Sequence, residues 1–565
     1  MSTSTSVHSN AFNFMSYIQG QVDPRTGQYT CAITLPELKA NNLCGPVVPL
    51  QLNFNPLNNS DSGFGIGWNL QLSQYNPNSR VLSLYTGETF KVNLEETPEG
   101  IGKFIPEKKI DSFHFYILDD KHYRIEHKSG LIEILEVGQG GLAMPVQMLS
   151  PQGHSVTLQY TPFFTEPLLS SIKNADGTEL ISLLRTNNEL KILLHPGTVY
   201  EAEFKLEIIG SETRTIVLPT DDNASWRFVY GMYNDLTCLT SVDTPTGGHE
   251  TITYSAAGHS FPGLSGRKLP RVQIHKRDPG FDQPVSETRY EYDSQDRNFL
   301  GFGSGIAWSD DGLDNLYKIS ADYQYETTEN VWDATRNQTV RSTHRVFNKY
   351  HLLVSEQITQ KAEAGSEDTL SVTETEYYID PQKNFKDQPA YCQLPKTVTK
   401  IWRNANATEP RHTETVTATY DDYGNLLTQT NANGVIETNT WYSRDGEADS
   451  EEGHYGCPAD PQKFVRSLKS KTVTPAASGF GSAPTLQTRY RYDEYLGLKG
   501  ANPWLVMGRE TLTESGTILH SSTFDYIETP DDALDHGRKL QDAVTRNGMT
   551  TTTQYLYSQT FNLLA

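Results

Sequence analysis

A glycine followed seven residues later by an aromatic ring recurs four times in this chain, with a strand-like run in between. The segments are 150–160 (SPQGHSVTLQY), 244–254 (TPTGGHETITY), 431–442 (NANGVIETNTWY) and 545–555 (TRNGMTTTTQY). Their glycines are Gly153, Gly247, Gly434 and Gly548; their aromatics are Tyr160, Tyr254, Trp441 and Tyr555. Glycine accepts the positive φ that a tight turn needs. The residues behind it alternate, as in Val156, Leu158 and Tyr160, which is the two-residue period of a strand. A β-branched and aromatic run after a glycine turn reads as the second arm of a hairpin. The expected fold class is therefore all-β: a β-hairpin array forming a curved or spiralling sheet.

A second element recurs as RYEYD (289–293), EYYID (376–380), RYRYD (489–493), FDY (524–526) and TYDDYGNLLTQT (419–430). In the last, a strand ends at Tyr420, the turn from Asp421 to Asn425 reverses the chain, and Leu426 and Thr428 begin the next strand. The following turn leads from Asn431 to Gly434 and into a strand closing at Trp441 and Tyr442. Turns about ten residues apart imply strands of roughly six residues.

These residues resemble the YD repeat of the Rhs family, which includes teneurins and the B and C subunits of Tc toxins. The match rests on Tyr420, Asp421, Gly424, Asn425, Leu426, Thr430, Gly434, Thr438 and Tyr442. The segments GFGIGWNLQLSQY (63–75), with its single Trp68, and YTGETFKV (85–92) resemble the start of Rhs-like and SpvB-type proteins. NFLGFGSGIAW (298–308) is similar to a recurrent Tc B-subunit segment. The resemblance implies a long spiralling sheet that closes into a hollow shell. It also implies three regions: an N-terminal SpvB/Rhs-like segment (1–100), degenerate β-repeats (101–280), and Rhs/YD repeats (281–565) forming a shell wall cut before the core motif.

At 565 residues the chain exceeds what one compact core supports, so several units or a repeat array are expected. Thirty Tyr, 22 Phe and seven Trp argue against disorder. A net charge of −22 with no polybasic run excludes nucleic acid and anionic lipid as partners, since both are recognised by Lys and Arg. Five scattered cysteines (Cys31, Cys44, Cys238, Cys392, Cys457) form neither a disulfide framework nor a zinc pattern. The N-terminus lacks a charged and apolar Sec signal, and no apolar run is long enough to span a membrane. The expectation is a protein made in the bacterial cytoplasm and exported by a dedicated machine.

No catalytic, cofactor-binding or metal-ligating residue is assigned. Gly63, Gly65 and Gly67 fail the phosphate-loop spacing, because Trp68 stands where the third glycine belongs. Asp445, Glu447 and Asp449 start like a calcium loop, but Ser450 and Gly456 occupy the positions that need Gly and Glu. His454 and Cys457 lack a third group to orient them as a nucleophile pair. A short helix is expected within 531–544 and loops at 361–368 and 445–460. The repeat tyrosines are read as a structural ladder, with sugar stacking as the rival use.

The resemblance thus implies a non-enzymatic shell component that encapsulates a C-terminal or partner toxin polypeptide in a polymorphic-toxin or Tc-like system. The partners it implies are a toxin cargo, a completing Rhs core chain, or a secretion-system or toxin-complex component. The alternative is an adhesion module recognising glycans or proteins. No DPxG-type core site occurs, and the pattern breaks off mid-strand at Asn562 to Ala565, so a partial wall completed elsewhere is expected.

Overall fold

The computed structural model describes residues 7–11, 20–38, 40–41, 44–48, 50–363, 366–450, 453–479, 481 and 483–557. The chain end at Asn562 to Ala565 lies outside them. Forty strands and no α-helix occur among the described residues, so the all-β expectation holds. Gly153, Gly247, Gly434 and Gly548 have φ between +75° and +94°. Each opens a turn into a strand: Ser155–Phe163, His249–Tyr254, Ile436–Trp441 and Met549–Gln554.

The segment 419–442 shows what its turn residues do locally. Asp421 Oδ1 accepts the backbone N–H of Tyr423 (2.9 Å) and of Asn425 (2.8 Å), which locks the turn. Gly424 takes φ +80° inside it. Asn425 Nδ2 donates to Asp421 Oδ2 (2.9 Å) and to the Val465 carbonyl (3.0 Å), tying this turn to the next. Asp293 and Asp380 accept in the same way from Gln295 N and Gln382 N.

The first half of the chain is two layers thick. A four-stranded sheet (Gln21–Val22, Tyr29–Thr34, Gln51–Phe54, Trp68–Leu70) lies against the large sheet. Tyr29, Leu52, Phe54 and Trp68 share one core with Ile172, Leu206, Phe228 and Val242. Strands there alternate: Glu189–Leu194 buries Leu190, Ile192 and Leu194 and leaves the others half-exposed. Each such aliphatic side chain contributes about 1.5–3 kcal/mol when fully buried.

From Gln324 onward most of the sheet loses its second layer, though Tyr325 and Phe347 still join a core with Phe261, Phe299 and Leu316, and His454 covers Thr511. The strands Pro395–Asn404, Leu426–Thr430 and Leu486–Tyr495 contain no buried residue, and both of their faces are half-exposed or exposed. They are held by ladders to their neighbours and by cross-strand pairs. This is a thin wall, and it coils. His536 and Gly537 touch Gln152 and His154, although more than twenty strands separate the two places in the sheet. At about 4.8 Å per strand a flat sheet would hold them on the order of 100 Å apart.

The wall bends at recurrent bulges. The register jumps at Phe347, Tyr377, Tyr420, Trp441, Tyr492 and Tyr526, where Val354, Lys396, Leu427, Lys469, Gly508 and Leu540 are skipped on the facing strand. A bulge adds a residue to one strand and increases local twist, so a row of them curves the sheet. All six lie toward one rim.

Two expectations are corrected. Residues 531–544 hold no helix: 527–538 form a turn, and Lys539–Arg546 is a strand between Thr517–Tyr526 and Met549–Gln554. The vacant ladder beside Thr517–Tyr526 outweighs local helix propensity. The loop 445–460 contains the short strands Glu447–Ser450 and Tyr455–Cys457, and the second pairs in parallel with the wall through Gly456 and Arg491. Described residues of 361–368 carry no strand, as expected.

Candidate functional site

The repeat aromatics bond carbonyls across the ladder. Tyr377 lies across from Pro395, whose carbonyl accepts the Tyr420 hydroxyl at 3.2 Å. Tyr420 lies across from Leu426, whose carbonyl accepts Trp441 Nε1–H at 3.0 Å. Trp441 lies across from Leu468, whose backbone bonds Tyr492. Earlier in the chain Tyr230 faces Leu239, which accepts from Tyr254 (3.0 Å), and Tyr254 faces Val272, which accepts from Tyr292 (2.6 Å). At these bulges the carbonyl beyond the skipped residue is bound by the next aromatic. Burial pushes the Tyr254 and Tyr292 hydroxyls well above their ordinary range. These groups stitch hairpins together, and their polar tips are engaged within the wall.

Gly63, Gly65 and Gly67, all at positive φ, pack against Leu168, Thr213 and Phe54. The buried Trp68 donates its Nε1–H to Tyr230 Oη at 2.8 Å. This is strand-opening geometry with no phosphate cradle. Asp445 and Glu447 are paired with Lys463 and Lys469. His454 Nδ1 meets Thr511 Oγ1 at 3.0 Å, while burial pushes the Cys457 thiol up to about 11.

The structure adds two features that no motif announced. The first is a buried polar knot. Asp314 Oδ2 accepts from Asn10 N (2.6 Å) and Ser9 Oγ (3.0 Å) and lies 3.0 Å from His351 Nε2. His351 Nδ1 meets Tyr325 Oη at 3.1 Å, and Glu107 accepts from Asp314 N and Asn10 Nδ2. Burial raises the Asp314 carboxyl, but the His351 charge and hydrogen bonds outweigh it and leave a net lowering. Serine, histidine and aspartate meet here, yet one imidazole nitrogen serves both Ser9 and Asp314. Asp314 and His351 are fully buried. The knot is a clasp joining residues 9–10 and 107 to the wall.

The second is a seam. Along the bulged rim the turns of the wall dock on residues 107–154. Lys109 Nζ donates to the carbonyls of Lys386 and Gln388, and Lys128 Nζ donates to Asn425 Oδ1 at 2.7 Å. His114 stacks on Phe464 at 4.0 Å, and Arg466 donates to the Lys128 carbonyl at 2.8 Å. Leu498 N donates to the Gln152 carbonyl (2.9 Å), and His154 Nε2 to the His536 carbonyl (2.9 Å). Two adjoining cavities of about 430 and 520 Å³ lie in this seam and share Ser129, Ser150 and Pro151.

No family model and no curated protein matches the chain. Among solved structures, a Photorhabdus luminescens Tc holotoxin pore carrying a TccC3 mutation overlaps 95% of this chain at 10% identity and TM-score 0.27. TcdB2–TccC3–Cdc42 and TcdB2–TccC3 structures overlap 91% and 94% of it, at 12% and 11% identity and TM-scores of 0.18 and 0.17. The chain spans only 30–40% of the length of these chains. Superpositions this loose establish neither family nor function.

Proposed function

We propose that this chain is a non-enzymatic wall component that encloses a polypeptide cargo, in a polymorphic-toxin or Tc-like assembly of the kind its YD-type repeats suggest. One observation carries the reading: much of the sheet between Gln324 and Gln554, as at Pro395–Asn404, Leu426–Thr430 and Leu486–Tyr495, is one layer thick with both faces accessible. A globule folds its sheet onto a second layer to bury apolar surface. A wall built to separate two aqueous spaces needs only ladders, cross-strand pairs and a closed seam. The chain is read as made in the bacterial cytoplasm, exported by dedicated machinery, and completed by a partner or further segment.

The rival use, adhesion through the repeat tyrosines, is weakened because those hydroxyls bond carbonyls inside the ladder. Limited proteolysis tests the proposal. The chain is co-produced with the polypeptide encoded directly after it, and cargo survival is followed with and without opening of the seam by His154→Asp. Enclosure predicts a cargo resistant to protease in the wild type and cleaved in the variant. Equal cleavage in both contradicts it.

A further inference from the structure

The 430 Å³ seam cavity is chemically unlike the surface around it. The chain carries a net charge of −22, yet Arg124, Lys128 and Arg466 line this cavity and no Asp or Glu does. Besides Arg124 Nε, which lies 3.2 Å from Glu126, three polar groups on its lining, Trp504 Nε1, Ser150 Oγ and Gln462 Oε1, have no hydrogen-bond partner among the described residues. Those side chains belong to residues only 4%, 6% and 6% exposed. Buried polar groups are almost always partnered in folded proteins, so three on one cavity wall mark a place built for a polar ligand. The indole is fixed there by Tyr495 and Tyr526, each at 5.6 Å. Tyr492 adds a second ring to the lining.

We propose that this cavity binds a saccharide unit bearing a carboxylate. The three open groups are a donor, a carbonyl acceptor and a hydroxyl that is both, which is the mixture sugar hydroxyls satisfy. A phosphodiester has only acceptors and leaves Gln462 Oε1 unmatched. Two of the cations are ion-paired, Arg466 to Asp460 (2.6 Å) and Arg124 to Glu126 (3.2 Å), while Lys128 donates to the neutral Asn425, so the site balances one negative charge rather than several. The Tyr492 and Trp504 side chains on the lining add apolar surface of the kind that suits a pyranose. The volume lies in the range of small-molecule sites. The site is independent of whether the wall encloses a cargo.

Isothermal titration of the full chain with glucuronate-terminated disaccharides tests this, with glucose-terminated counterparts, inorganic phosphate and a glutamate-rich peptide as competitors. The acidic disaccharide is expected to bind at least about tenfold more tightly than the neutral one, as loss of a charge-assisted contact would imply. Trp504→Phe and Ser150→Ala are each expected to weaken it by about tenfold. Both variants are compared at an unchanged melting temperature; should one fail to fold, the other decides. Absence of saccharide binding, binding untouched by the folded variant, or tighter binding of phosphate or peptide overturns the proposal.

Discussion

At one rim of the wall the turns 421–425 and 527–538 bury Asn425 and His536 against the N-terminal third of the chain, and the turn 349–352 buries Tyr350 and Leu352 against Tyr317, Phe385 and Cys392. At the other, the turns 334–337, 431–435 and 547–548 leave every residue exposed or half-exposed. The same strands feed both rims, so strand propensity does not distinguish them. The difference lies in the ends. The packed rim has six bulges, the bonded aromatics and the Asx turns of Asp380 and Asp421; the bare rim has two bulges, at Trp332 and Thr513, one Asx turn at Asp333, and short glycine turns such as Gly516 and Gly548 with open space around them. A thin sheet gains little from its faces, so its curvature and closure are set where bulges and docking turns coincide.

Breaking the clasp should separate the rims most. Asp314→Ala leaves His351 and Ser9 buried without their shared acceptor, and a loss of about 3–5 kcal/mol is expected in denaturant unfolding. The melt should also lose cooperativity as residues 9–10 detach. Next comes acid. Burial holds the His154 and His536 imidazoles below their ordinary value. The unfolded chain, with histidines near ~6.5, takes up protons first as pH falls. Stability from these rings is therefore present above that pH and lost progressively below it. Hydrogen exchange between about pH 7 and pH 5 should speed up at 150–154 and 527–538 beyond the intrinsic rate, and not at 431–435.

Smaller effects sharpen the contrast. Tyr420→Phe removes the hydroxyl from the Pro395 carbonyl and should cost about 1 kcal/mol by equilibrium unfolding. A short Gly-Ser insertion within 405–411, on the bare rim, should change stability by less than about 0.5 kcal/mol. The same insertion within 421–425 should be strongly destabilising, because it displaces Asn425 from Asp421, Val465 and Lys128.

Much of the local structure was legible in the sequence because it is encoded within a dozen residues. Gly434 and Trp441 announce a turn and a strand end, and Asp421 with Gly424 announces a reversal. The structural role of the tyrosines was also legible, though the bond from Tyr420 to Pro395 was not, because it spans two strands. The clasp and the seam were invisible for a stronger reason. They join Ser9 to Asp314 and His351, and His154 to His536, and no spacing rule links residues hundreds of positions apart. Lys539–Arg546 was misread as helical because an unpaired neighbouring strand decided its conformation. Trp504 and Ser150 carry no motif; only their convergence on one cavity distinguishes them.

The most direct test of the wall is a cryo-electron-microscopy map of the chain. The strands Pro395–Asn404, Leu426–Thr430 and Leu486–Tyr495 are predicted to appear in a coiled sheet one strand-layer thick with solvent on both faces, and the wall to touch residues 107–154 along the rim of Tyr377, Tyr420, Trp441 and Tyr492. A map in which a second layer of protein density packs against either face of those strands, burying Pro395–Asn404 and Leu486–Tyr495 as a core, would contradict it.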